Sequence, residues 1–228
     1  MKRLAFFALF VLPALAAAFP VEARADDEGF VSLFDGKTLD GWVQRGGKAK
    51  YEVVDGTIEG TTVPKEPNSF LCTDRDYANF IFEVEFKVDE GLNSGIQIRS
   101  HCFDHETSIE VNGKEKKIPA GRVHGYQVEI DPSPRAFSGA IYDEARRGKF
   151  LQDLSENKAA RDAFKHDEWN KFRIECNGDS IKTWINGVPA VDLKDSMTPS
   201  GFIALQVHQS KSDTPLHVRW RNIRIKVL

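Results

Sequence analysis

Gln127, Glu129 and Asp131 alternate with Tyr126, Val128 and Ile130 along one short stretch that opens at Gly125. A period of two predicts a β-strand with an apolar face and a polar face. The polar face carries an amide and two carboxylates and no lysine. Acids at i and i+2 stand roughly 6–7 Å apart on the same side of a strand. Such a pair repels unless a cation, a metal ion or a substrate lies over it. Two other segments alternate in the same way. Gln97 and Arg99 oppose Ile96 and Ile98, and Gln206 and His208 oppose Leu205 and Val207. Gathered on one face, these side chains would give an acid pair, a guanidinium, an imidazole and several amides. That set hydrogen-bonds sugar hydroxyls and supplies groups that exchange protons near neutrality. Asn93, in the turn before Gln97, and Tyr142 join it as candidate substrate contacts. His101, Cys102, Asp104 and His105 lie close together, but on an irregular segment without a second ligand pair they form only a weak metal motif.

The elements that must position these groups are strands. Phe80, Phe82, Val84, Phe86 and Val88 point one way while Ile81, Glu83, Glu85 and Lys87 point the other, so this segment anchors the core. Asp55-Gly56, Asn112-Gly113, Asn177-Gly178 and Asn186-Gly187 each sit between alternating runs and predict tight hairpins. The Lys-rich return after Asn112-Gly113 predicts an exposed hairpin. One helix is expected over 153–164, with Asp153 as N-cap and Glu156 three residues on. About a dozen strands with turn signals every 8–12 residues and one short helix predict an all-β, two-sheet jelly-roll sandwich. A curved sandwich leaves a concave face open to a ligand.

Residues 1–25 read differently. A basic start at Lys2-Arg3, an apolar run interrupted by Pro13 and the small-x-small site Ala23-Arg24-Ala25 predict a cleaved secretory signal peptide. Residues 26–228 then form a single domain, secreted or periplasmic, with no membrane anchor after cleavage. The 228-residue chain carries a formal net charge of −3, and removing the leader makes it more acidic, which leaves no basic footprint for nucleic acid. Three cysteines allow at most one disulfide; Cys72 and Cys176 sit at apolar strand positions and read as packing residues, and Cys102 lies on the irregular segment.

In order along the chain, LFDGKTLDGW, VVDGTIEG, FLCTDRDYANFIFEVEFKVDEGLNSGIQIRS, HGYQVEID, SGAIYDE, DEWNKFRIECNGDSIKTWINGV and GFIALQVHQ resemble the 3-keto-disaccharide hydrolase family. The resemblance covers nearly all of residues 26–228. It implies a concanavalin A-like lectin/glucanase sandwich and cleavage of glycosides already oxidised at C3. A C3 ketone acidifies the C2 proton, so a base can form an enolate and expel the C1 substituent. That reaction needs a base, a donor or cation at the C3 oxygen, and an acid for the leaving group. Glu129 and His208 would be base and acid, in either order. Arg99, with Gln127 or Asn93, would hold the enolate oxygen, and a divalent ion on Glu129, Asp131 or His208 would serve the same purpose. Gln97, Gln206, Asp131 and Tyr142 would bind a small-molecule or oligosaccharide substrate. Two rivals share the fold: a non-catalytic carbohydrate-binding module, and a two-carboxylate glucanase. Glu129-x-Asp131 resembles part of the Glu-x-Asp-x-x-Glu glucanase strand, but Pro134 stands at the third acid position.

Overall fold

The computed structural model describes residues 29–228; the leader expected over 1–25 lies outside them. The strands are β1 (Val31–Ser32), β2 (Trp42–Gly46), β3 (Lys50–Val54), β4 (Thr57–Thr61), β5 (Ser69–Thr73) and β6 (Phe80–Val88), followed by β7 (Ser94–Cys102), β8 (Thr107–Val111), β9 (Lys114–Ile118) and β10 (Val123–Ile130). Then come β11 (Ile141–Glu144), β12 (Phe150–Gln152), the helix α1 (Lys158–Ala163), β13 (Asn170–Asn177), β14 (Ser180–Ile185), β15 (Val188–Lys194), β16 (Phe202–Val207) and β17 (His217–Val227). The four hairpin signals join β3 to β4, β8 to β9, β13 to β14 and β14 to β15. Asp55 and Gly56, Asn112 and Gly113, and Asn186 and Gly187 all have positive φ, as primed turns require.

Two antiparallel sheets stack as a sandwich. One runs β15-β14-β13-β6-β17-β4-β3, with β1 added against β17; the other runs β12-β11-β10-β7-β16-β5-β2. Phe80, Phe82, Val84 and Phe86 are fully buried between them, against Ile96, Ile98, Tyr126, Val128, Ile130, Ile203 and Leu205 of the facing sheet. Burying each of these large side chains stabilises the fold by roughly 1.5–3 kcal/mol. Their strict alternation also fixes which face of β7, β10 and β16 looks outward.

The helix is shorter than expected. Asp153 accepts from the backbone N–H of Ser155 in a local turn, and Asn157 is the N-cap, its Oδ1 accepting from Ala160 N at 3.1 Å. The acceptor on Asn157 closes the first helical turn, so Asp153 and Glu156 stay outside it. All three cysteines are free thiols, with Cys72 and Cys176 buried.

Candidate active site

Strand pairing places the outward polar residues side by side. Gln127 on β10 is opposite Gln97 on β7, and Glu129 is opposite Gly95, which in turn faces Gln206 on β16. Gly95 is required here. A Cβ at that position would lie 2.6 Å from Gln127 Cγ, so the missing side chain lets the Gln127 amide fold across β7 toward Gln206.

Glu129 then orders a chain of amides. As a carboxylate it only accepts, so Gln127 presents Nε2 to Glu129 Oε2 at 2.8 Å. Gln127 Oε1 is thereby turned back, where it accepts from Gln97 Nε2 at 2.6 Å and from Gln206 Nε2 at 2.9 Å. Ser100 Oγ donates to Gln97 Oε1 at 2.8 Å and fixes the far end. Asn93 Nδ2 donates to Glu129 Oε1, also at 2.8 Å. The orientation of five polar side chains follows from one acceptor-only group.

Glu129 is 5% exposed. Burial is the dominant influence on its carboxyl, opposed by the Asn93 and Gln127 hydrogen bonds and by Arg135 and reinforced by Asp131, and the balance raises it from 4.5 to about 7. Asp131 faces a different environment. Its Oδ2 accepts from Arg135 Nε at 2.7 Å and from Phe137 N at 3.3 Å, and its Oδ1 accepts from Ser133 N at 3.2 Å. Arg135 reaches on to Glu129 Oε1 at 3.4 Å and sits over the rings of Phe137 and Phe150. The two acids are therefore reconciled by a loop arginine.

These groups open into a cleft of about 430 Å³, also lined by Tyr142, Glu144, Phe150 and His208. His208 is half-buried; Nδ1 lies 2.8 Å from the Gln209 carbonyl. A carbonyl only accepts, so that contact holds a proton on Nδ1. Glu144 is buried and raised above its ordinary value by that burial, against the pull of Arg122, whose Nη2 lies 2.6 Å from Oε1. A hollow of about 480 Å³ on the other sheet is lined by Phe30, Glu83 and Lys171, but Glu83 is already paired there with Lys171, Arg173 and Arg224.

Of the residues singled out in the sequence, Glu129, His208, Gln127, Asp131, Asn93 and Tyr142 share the cleft. Gln97 and Gln206 are fully buried beneath it and act on Gln127 rather than on the cleft surface. Arg99 does not join them. It has φ of 45° in a bulge where β7 and β16 shift register, which breaks the alternation that places it beside Gln97. Its guanidinium is buried, donating to the carbonyls of Ala78 and Gly178 at 2.7 Å each and to Asn79 Oδ1 at 3.2 Å. Arg135 is the cation beside Glu129 instead. Sequence periodicity missed it, together with Glu144, because one lies on the irregular loop after β10 and the other ends a short strand. Among the described residues no three His, Cys, Asp or Glu side chains gather to hold an ion, so the metal expectation finds no ligand set here.

Comparison with known proteins agrees with the sandwich fold and with the family resemblance. Residues 29–226 match the family described as the 3-keto-α-glucoside-1,2-lyase-like domain. A 3-keto-disaccharide hydrolase of Bacteroides thetaiotaomicron is 27% identical over 91% of this chain and 81% of its own. A Parabacteroides distasonis protein, solved as a candidate glycosyl hydrolase, superposes with a TM-score of 0.57 at 21% identity, over 89% of this chain and 95% of that one. A carbohydrate-binding module from Bacillus subtilis superposes with a TM-score of 0.56 at 14% identity, over 82% and 95%. The structural likenesses establish the sandwich and nothing finer.

Proposed function

The chain belongs to the 3-keto-α-glucoside-1,2-lyase-like family of carbohydrate-active proteins, and from that premise we propose that it cleaves 3-keto-glycosides by proton abstraction at C2 and elimination at C1. The observation that carries this reading is Glu129: a buried carboxylate, fixed by Asn93 and Gln127 and raised to about 7, at the floor of an open cleft. A base whose proton affinity matches neutral pH is suited to removing a proton acidified by an adjacent ketone.

In this scheme Glu129 takes the C2 proton, and the electron pair moves into the C2–C3 bond to form the enolate. Arg135 and the Asn93 amide stand beside Glu129, where the C3 oxygen gathers charge. Preorganised donors at that point stabilise the developing anion, and each is worth about 3 kcal/mol in comparable sites. The enolate re-forms the ketone as the C1–O bond breaks, leaving a C1=C2 double bond. The departing oxygen receives a proton from Nε2 of His208 acting as the imidazolium, which is left as the neutral Nδ1–H ring. Addition of water across C1=C2 then completes a net hydrolysis; omitting that step gives a lyase product.

Direct hydrolysis by the Glu129–Asp131 pair is less well supported. It needs a second carboxylate free to act on the same bond, and both Asp131 oxygens are engaged by Arg135 and backbone N–H groups. The leader read at residues 1–25 extends the proposal to a secreted or periplasmic site of action. The decisive experiment incubates the protein with a glucoside and with its 3-keto derivative. Turnover of the keto sugar alone is the expected result. Turnover of the plain glucoside would favour a glucanase, and binding of both without turnover would favour a sugar-binding module.

A further inference from the structure

The cleft extends beyond the groups that the proposed elimination uses. Tyr142 is opposite Gln127, and Glu144 is opposite Gly125. From Glu129 to the rung of Glu144 is four residues, roughly 13 Å at the rise of a β-strand. Across the cleft the Glu144 carboxyl is within electrostatic reach of His208, the group assigned to the leaving oxygen. A base at C2 and an acid at O1 of one ring work within a few ångströms of each other. Glu144 thus stands on the leaving-group side of Glu129, past the backbone rung of the base, where a second pyranose would extend.

The chemistry of this end fits a neutral polyol. Arg122 Nη2 is 2.6 Å from Glu144 Oε1, and among the described residues no hydrogen bond reaches Glu144 Oε2. Glu144 lines the cleft, and the Arg122 side chain paired with it is 42% exposed. A carboxylate oxygen that accepts and a guanidinium that donates, held side by side, match the alternating donors and acceptors of vicinal hydroxyls. Phe150, packed edge-to-face on Tyr142 at 5.2 Å, gives the wall between the two ends an apolar surface for the ring faces.

We propose that the Arg122–Glu144 pair binds the second sugar ring, the one that leaves, and so selects 3-keto-disaccharides over 3-keto-glycosides with small aglycones. This inference rests on the proposed keto-sugar reaction, and its test separates the two. The readout is the ratio of kcat/KM for a 3-keto-disaccharide to that for a methyl 3-keto-glucoside. Losing a charge-assisted hydrogen bond costs roughly tenfold or more in affinity. Arg122→Ala and Glu144→Gln should each lower the ratio at least tenfold, mainly through KM for the disaccharide. A ratio within twofold of the wild type in both variants overturns the proposal, as does an equal loss on both substrates. A wild-type protein that turns over neither substrate counts against the elimination reaction. The subsite is then read from dissociation constants for the same two ligands, and an unchanged ratio of those constants in both variants overturns it.

Discussion

Glu129→Gln tests the environment of the proposed base without reference to any substrate. Burial raises the Glu129 carboxyl from 4.5 to about 7 in the folded protein. Each tenfold change in proton affinity is worth 1.36 kcal/mol, so the difference from the unfolded chain is about 3 kcal/mol. The folded state binds more protons than the unfolded state across that window, and stability must fall as pH rises. The Glu129 contribution is fully present below pH 4.5 and is lost by the time pH has passed 7. Glu144, raised by burial, acts in the same direction, while His124, lowered by burial, opposes both. Comparing the variant with the wild type cancels those two groups. A glutamine at 129 keeps Gln127 Nε2 satisfied if its oxygen faces that donor. Its own amide nitrogen then meets Asn93, which is half-buried and can rotate its amide to accept. Gln127 cannot rotate, because its oxygen already accepts from Gln97 and Gln206. Urea unfolding between pH 4.5 and 8 should show Glu129→Gln gaining about 3 kcal/mol on the wild type as pH rises. Turnover should fall by at least about a hundredfold at every pH. A difference in stability that stays flat with pH would show an ordinary carboxylate at 129 and refute its role as a base tuned to neutrality.

Three further substitutions examine the surroundings. Arg135→Ala removes a cation from beside Glu129, so the acidic limb of the pH–rate profile should move to higher pH and kcat should fall. Because Arg135 is 45% exposed, urea unfolding should change by less than about 1 kcal/mol. Arg99→Met strips buried donors from the Ala78 and Gly178 carbonyls, and at about 1–3 kcal/mol for each unpaired group it should cost several kcal/mol in unfolding. The folded fraction of that variant should keep its kcat; a large loss of kcat with intact stability would return Arg99 to the site. Gly95→Ala forces a Cβ to within 2.6 Å of Gln127 Cγ, so Gln127 must withdraw from Glu129. Overpacking of this kind costs about 1–3 kcal/mol, and kcat should fall with it.

Much of this architecture was legible because alternation and hairpin chemistry are local. Phe80 to Val88 declares a buried strand by itself, and Asn112-Gly113 and Asn186-Gly187 adopt the positive φ angles that their positions predict. The polar face of β10 was legible for the same reason, and it contains the proposed base. What failed was phase. A single bulged residue at 99 rotates one side chain out of register, and no composition or spacing in β7 announces it. Its cause is a non-local register shift against β16. Arg135 and Glu144 were hidden for a related reason. A loop arginine reaches the site only because Asp131 and the Phe137 ring hold it, and Glu144 is aligned only by its pairing with β10.

The same physics explains why the amides lie under the cleft rather than in it. A lone carboxylate in this position would meet solvent or a flexible side chain, and its proton affinity would drift with either. Gln97, Gln127 and Gln206 are at most 2% exposed, and buried amides cost stability unless paired. All three are linked through Gln127, although Gln206 Oε1 has no hydrogen-bond partner among the described residues, and the linkage runs toward Glu129, so the energy spent on burying them fixes the direction of the one group that must change its protonation. Tuning Glu129 toward 7 itself weakens the fold at neutral pH by about 3 kcal/mol relative to acid. A strand inside a sheet, paired on both edges and supported on its other face by Tyr126, Val128 and Ile130, is where such a penalty can be carried without loosening the site. That is the physical reason to expect the base on β10 and not on the loops that supply Arg135.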